Sequence, residues 1–471
     1  MFECRHVMRH CLALAVLVSA VSLAPACLAA RPGSDLSVDG VPQRLVLALD
    51  GIPYDVFVDL QQRGHFTGFR PAARMVSTFP SLSDVSFAAI GGSEPPDGYQ
   101  VMRFDPLKNK VVGNTLASLS DRAHPNLPAD SSGHTSLHRM IGYVAAYSVA
   151  VRDMRAIGRE VLRSPKATFV AYLEQSDAVL HVSGRPGAEK FLLALDGYLQ
   201  GLQAQVRART GRELMIDIVS DHGSTLTKGR AVPIEKLLRG CGYQRSNRLE
   251  RRNEVAYSLS GIIGSVAITT ADEHVEEVAR CVAAAEGVDL VAIDRGEAVG
   301  IVSGDGEAEV RLAGESPEAY SYRILRGDPL GLVQDRAAPA EHRFDESELF
   351  AKTADAARPD PLRRLWRAFH GAVKMPSPIL VSLADGREAG NGMVRALARM
   401  RGRAGTHGSM TRLASLGVFA SNWRDVHDVD AWSANAALFG SETELAARRL
   451  ASESVERTWM PLPPAGGMQR R

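Results

Sequence analysis

Asp221-His222-Gly223 closes an apolar run, Leu214-Met215-Ile216-Asp217-Ile218-Val219-Ser220. A carboxylate and an imidazole therefore stand side by side where a buried strand should stop. A hard anion next to a borderline nitrogen donor suits a zinc-type ion. Three other places carry the same residue types. Arg44-Leu45-Val46-Leu47-Ala48-Leu49 reads as a strand buried on both faces, and it ends in Asp50-Gly51. Thr168-Phe169-Val170-Ala171-Tyr172-Leu173 is a similar run, followed by Asp177 and His181. A spacing of four puts those two on one side of a helical turn, so both can reach one ion. Residues 378–383 form a further run, with His407 following after a loop in Gly405-Thr406-His407-Gly408. Ligands of open parallel α/β sheets gather outside the carboxyl ends of the strands. Strand ends and following loops that supply Asp, Asp with His, Asp-His and His point to one metal centre.

Thr78-Phe79-Pro80-Ser81-Leu82-Ser83 lies between the first two runs, ahead of an apolar stretch over 85–90. A hydroxyl facing a cationic centre becomes a nucleophile when its pKa falls. Thr78 and Ser83 are the competing hydroxyls. Ser83 is favoured, because the stretch behind it reads as a helix whose positive end would face the centre. Thr78 precedes Phe79-Pro80, where the chain is biased to extended form and proline has no N–H.

In this order the pieces resemble the alkaline phosphatase superfamily, and within it the type I phosphodiesterase and nucleotide pyrophosphatase branch. Members of that branch read LxxDG, PTLTFPN, D-x-x-x-H, SDHG and a late HG. The resemblance covers residues 44–230 and 376–440. It implies a three-layer α/β/α sandwich with a mainly parallel sheet and a small α+β insertion. It also implies two divalent metal ions, zinc by ligand type with manganese also compatible. Carried over residue by residue, Asp177, His181 and His407 hold one ion. Asp50, Asp221 and His222 hold the other, with the Ser83 oxygen as an added ligand. Ser83 falls on PTLT as the implied nucleophile. Ser86 takes the place of the asparagine that bonds a phosphoryl oxygen, and Asp97-Gly98 takes the place of an HG pair. Arg139 is the candidate substrate contact from the 137–162 helix, and Arg103 is a second cation that could grip a phosphoryl dianion.

The chemistry expected from the resemblance is phosphate ester hydrolysis through a phosphoserine, on phosphodiester or nucleotide pyrophosphate bonds of a small molecule. A phosphomonoesterase of the same fold is one alternative. A non-catalytic, metal-containing exported binding protein is another. A sulfatase would need Cys or Ser followed by Pro-x-Arg, and no such motif surrounds Ser83.

The elements that must position these residues belong to a 471-residue chain, long enough for two domains or one with a large insertion. Lys plus Arg is 55 against 54 for Asp plus Glu, a net charge of +1, which argues against a nucleic-acid scaffold. Residues 1–30 read as a secretory signal peptide: Arg5 and Arg9, an apolar stretch from Cys11 to Val21, then small residues to Ala30. A membrane anchor is the competing reading of that segment, and no later run is long enough to span a bilayer. The expected location is periplasmic or secreted. Residues 43–240 read as the first part of the catalytic α/β core and 241–370 as an insertion or cap. The core is expected to resume over 371–445, with its sheet continuing at Pro378, and 446–471 read as a tail. Cys241 and Cys281 remain after the signal, either bonded in an oxidising compartment or buried singly. Oligomeric state has no sequence signal.

Overall fold

The computed structural model describes residues 40–113, 127–131, 136–257, 259, 261–315, 318–333, 340–390 and 405–440. The expected signal peptide and the tail from 446 lie outside the described residues.

The chain enters its first sheet at β1 (Arg44–Leu49) and passes through helix α1 (Tyr54–Gln62) to β2 (Ala73–Val76) and α2 (Ser83–Gly91). Helix α3 (Ser136–Val161) leads to β3 (Thr168–Leu173), and α4 (Gln175–Thr210) leads to β4 (Met215–Ser220). Helix α5 (Ile234–Gly240) then opens a long excursion. The strands of its large sheet are β5 (Gln244–Arg245), β6 (Glu254–Tyr257), β7 (Ser265–Thr270), β8 (Val288–Asp294), β9 (Val299–Ser303), β10 (Gly306–Glu315), β11 (Glu318–Gly327), β12 (Glu341–Asp345) and β13 (Ile379–Leu383). Helices α6 (Val275–Ala283), α7 (Glu346–Thr353) and α8 (Pro361–Phe369) lie among them. The chain returns at β14 (Leu416–Ser421) and β15 (Val429–Asp430) and reaches α9 (Ala434–Phe439).

The first sheet has the order β15-β2-β14-β4-β1-β3. β1 pairs in parallel with both β3 and β4, and β14 alone runs against its neighbours. Alternation along β1 feeds two cores. Leu45, Leu47 and Leu49 pack with Phe57, Met154, Phe191 and Leu195 from α1, α3 and α4. Val46 and Ala48 pack on the other face with Phe87 and Ile90 of α2 and Leu438 of α9. Apolar residues on both faces are what a parallel strand covered by helices requires. The result is the expected α/β/α sandwich.

The excursion is larger than a small cap. It forms a nine-stranded sheet, β12-β11-β10-β9-β8-β13-β7-β6-β5, antiparallel except for the last pair. Residues 378–383 are corrected here: they form β13, between β8 and β7 of this second sheet, not a strand of the parallel sheet. A fully apolar run suits any strand covered on both faces, so its composition did not say which sheet it joins. Ile379, Val381 and Leu383 face Val275, Val278 and Val282 of α6. Leu380 shares a core with Leu362 and Leu365 of α8 and with Phe79 and Leu82, so this sheet abuts the turn before Ser83.

Cys241 and Cys281 are bonded, with Cα atoms 6.2 Å apart, tying the end of α5 to α6. Closing a 40-residue separation should stabilise this region by about 4 kcal/mol through the unfolded chain. A Cys241→Ser/Cys281→Ser variant should show a lower melting temperature for the transition that exposes the second sheet. An unchanged melt would mean the bond adds no stability. No helix among the described residues is long and apolar enough to cross a membrane.

Candidate metal centre

β4, β1 and β3 lie side by side in register, with Leu49 opposite both Ser220 and Leu173. That register brings Asp50, Asp221-His222 and the start of α4 to one level at the carboxyl edge. Ligand atoms of Asp50, Asp221 and His222 lie within 4.8 Å of one another, and so do those of Asp177, His181 and His407. Asp177 and His181 come from the first turns of α4, with His181 Nε2 3.0 Å from Asp177 Oδ2. His222 Nε2 lies 3.3 Å from Asp221 Oδ2 and 3.5 Å from Asp50 Oδ1. The His222 and His407 rings stack at 3.9 Å, which joins the two groups into one centre.

Each histidine is oriented through its other nitrogen. Nδ1 of His181, His222 and His407 lies 2.9 Å from the carbonyl oxygens of Gly405, Gly223 and Ser81 respectively. A carbonyl only accepts, so each Nδ1 carries the proton and Nε2 keeps its lone pair for the centre. Tyr172, on β3, donates to Asp50 Oδ2 and leaves Oδ1 toward Ser83.

Two glycines make the close approaches possible. Gly51 has φ +71°, its N–H donates to Asp221 Oδ1 at 3.0 Å, and a Cβ there would lie 2.6 Å from Asp177 Oδ1. A Cβ on Gly223 would lie 2.3 Å from the Leu413 carbonyl oxygen. Gly51→Ala should therefore displace Asp177 and lower metal affinity by roughly 10–100-fold, the usual scale for disturbing a ligand's support. Metal titration of the purified variant checks this, and wild-type affinity would show that the backbone yields freely.

The electrostatics call for a cation. Burial pushes the Asp221 carboxyl well above the usual carboxylate range; the Gly51 N–H opposes this and the charge of Asp177 reinforces it. Burial also resists ionisation of Asp177, but the neighbouring His181 and His407 imidazoles hold its carboxyl below the usual range. Burial, with His407 beside it, pulls the His222 imidazole well below its ordinary value. Asp177 Oδ1 and Asp221 Oδ2 are enclosed and accept no hydrogen bond from the described residues. Enclosed, unbonded carboxylate oxygens beside imidazole lone pairs fit divalent ions and fit little else.

Ser83 is the first residue of α2. Its Oγ donates to Asp50 Oδ1 at 3.1 Å and lies 3.2 Å from His222 Nε2. Thr78 is fully buried elsewhere, donating to the Pro80 carbonyl at 2.9 Å. That uses its one proton, so Ser86 must donate to Thr78 and Ser77 to Ser86, both at 2.8 Å. Ser86 is therefore corrected as a substrate contact. It is fully buried, and its hydroxyl is held between two others. The resemblance sets a longer asparagine at this place, whereas the short serine hydroxyl bonds back to Thr78 and Ser77 in the segment before the helix. Arg139 belongs to α3, but its side chain lies outside the described residues.

Two supporting residues were not singled out from sequence. Tyr172 could have been, as a polar-tipped residue in an apolar strand. Arg364 had no signal. It is fully buried in α8 and donates to the carbonyls of Thr78 (3.0 Å), Pro359 (2.9 Å) and Met410 (3.3 Å) and to the hydroxyls of Ser81 and Ser415. One guanidinium thus ties the turn before Ser83 to the segment after His407.

The fold and site together define a three-layer α/β/α protein with an Asp/His centre at the carboxyl edge of its parallel strands. Among solved structures the chain is similar to phosphonoacetate hydrolase from Sinorhizobium meliloti 1021 in complex with phosphonoformate, at 12% identity and a TM-score of 0.48, over 85% of this chain and 95% of that one. It is also similar to murine ectonucleotide pyrophosphatase/phosphodiesterase 5, at 14% identity and a TM-score of 0.44, over 84% of this chain and 93% of that one. The human counterpart gives 13% identity and a TM-score of 0.43, over 90% and 97%. No family model and no curated protein matches the chain.

Proposed function

We propose that the chain is a metal-dependent hydrolase of phosphate esters that works through Ser83. The observation that carries this is the place of the Ser83 hydroxyl, at the head of α2 and within 3.2 Å of both Asp50 Oδ1 and His222 Nε2. Divalent ions held by the two ligand groups would lower the pKa of the hydroxyl and of water and offset phosphoryl charge. Asp50 and His222 aim the oxygen. Ser83 opens α2, and the positive end of that helix favours negative charge developing beside it. Ser83 Oγ gives up its proton to solvent and forms the new bond to phosphorus as the bond to the departing alkoxide breaks, and that alkoxide takes a proton from water. Water then cleaves the phosphoserine, releasing phosphate or a phosphomonoester and restoring the hydroxyl. The sequence pattern favours diesters and nucleotide pyrophosphates over monoesters, and zinc over manganese.

The test is a rate comparison on a phosphate monoester, a phosphodiester and a sulfate ester, each with zinc and with manganese. Diester turnover above the others supports the reading. Metal content with no turnover on any ester would favour the non-catalytic binding protein.

The same reading places the protein in the periplasm or outside the cell. The Cys241–Cys281 bond and the leader-like first 30 residues support that location. Mass spectrometry of protein made in a Gram-negative host should find a start near Ala30 or Arg31, and an intact Met1 in the soluble cytoplasm would reject export.

A further inference from the structure

A cleft of about 460 Å³, including its solvent-open mouth, runs between the turn before Ser83 and the second sheet. Pro80 and Leu82 form one wall, and Leu82 immediately precedes the nucleophile. Ile263 and Ser265 form another. They flank Gly264, whose N–H donates to the His407 carbonyl at 2.6 Å. The cleft therefore starts one residue from Ser83 on one side and one hydrogen bond from His407 on the other. Neither Ser83 nor any of the six Asp/His ligands lines it. A phosphoryl group seated on the centre would lie at the end of the cleft, and the cleft would hold what is attached to phosphorus.

The lining is mostly apolar, with Tyr99, Met102 and Phe104 on the side that also carries Arg103. Among the described residues Arg103 is the one charged side chain of the lining, and no carboxylate shares it. The chain is shaped to seat this cation. Asp97 pairs with one terminal nitrogen from its half-exposed position. A Cβ on Gly98 would lie 2.4 Å from Arg103 Cδ, so glycine makes room for the stem. Arg103 Nε is enclosed and has no hydrogen-bond partner among the described residues. Enclosed guanidinium donors without an acceptor are costly, and a carboxylate or phosphate oxygen repays them best.

Building on the hydrolase reading, we propose that this cleft selects substrates whose organic substituent has an apolar body and an anionic end, and that Arg103 binds that end. Asp97-Gly98 then serves to position the specificity residue.

Calorimetric binding to the metal-loaded protein tests this without turnover. The probes are 4-carboxybenzylphosphonate and its neutral counterpart, 4-(methoxycarbonyl)benzylphosphonate. The wild type should bind the carboxylate roughly tenfold more tightly, a difference of about 1.4 kcal/mol. In Arg103→Met the ratio should fall to near one, and Arg103→Lys should keep part of it. Equal affinities in the wild type, or a ratio that survives Arg103→Met, would overturn the proposal. So would a uniform loss for both probes, which would mean the guanidinium serves the phosphoryl group. Rates on 4-nitrophenyl diesters carrying the same two benzyl groups separate the two levels: turnover without preference leaves the hydrolase reading standing and removes only the selectivity. Discrimination in binding without turnover keeps the cleft assignment and removes the hydrolase reading.

Discussion

Ser83→Ala should lose turnover by roughly four orders of magnitude or more, the scale on which enzymes lose a covalent nucleophile. Metal content should stay at the wild-type level, because the six Asp and His ligands are untouched. Slow residual hydrolysis by water at the centre is the expected floor. Thr78→Ala is the matched control. Its hydroxyl donates to the Pro80 carbonyl and accepts from Ser86 in a fully buried relay. Removing it strands the Ser86 proton and should cost about 1–3 kcal/mol of stability, with a small change in rate. Trapping a phosphoenzyme at acidic pH and sequencing the labelled peptide checks both at once. Phosphate on Thr78 would require that buried turn to open and would reject Ser83.

Chelation should abolish turnover, and the two ligand groups should empty separately. His407→Ala should mainly release the ion shared with Asp177 and His181, and Asp50→Ala mainly the other, each leaving about one ion per chain of two by elemental analysis. The separation will be incomplete for physical reasons. The His407 ring stacks on His222 at 3.9 Å, so its loss loosens a ligand of the second group. Asp50 accepts the buried Tyr172 hydroxyl, so its loss leaves a phenol without that acceptor. Wild-type protein that contains no metal after growth with zinc would refute the centre altogether.

Much of this was legible in the chain because ligand chemistry is local. Asp50, Asp177, His181, Asp221, His222 and His407 each follow or lie near an apolar run, and their residue types restrict what they can bind. Strand character was legible too, since residues apolar on both alternations must be covered on both faces. What sequence alone left open was which runs become neighbours. The 378–383 run looks no different from the Arg44–Leu49 run, yet it joins the antiparallel sheet, and β14 brings the chain back to the first one. Partnership between strands depends on pairing at long separation, which composition does not encode. The choice between Thr78 and Ser83 was weighted by helix and proline rules, but the hydroxyl relay that consumes the Thr78 proton exists only once the turn is folded. Ser86, Arg364 and Arg103 follow the same logic. A short hydroxyl and a buried guanidinium owe their roles to the acceptors that surround them, and a cation in a cleft owes its role to the walls around it; for Arg364 an acceptor comes from as far away as Thr78. The sequence by itself determined which atoms could bind metal and act as a nucleophile; the tertiary structure decided which of them share a centre, because only packing sets the few-ångström distances on which coordination and proton position depend.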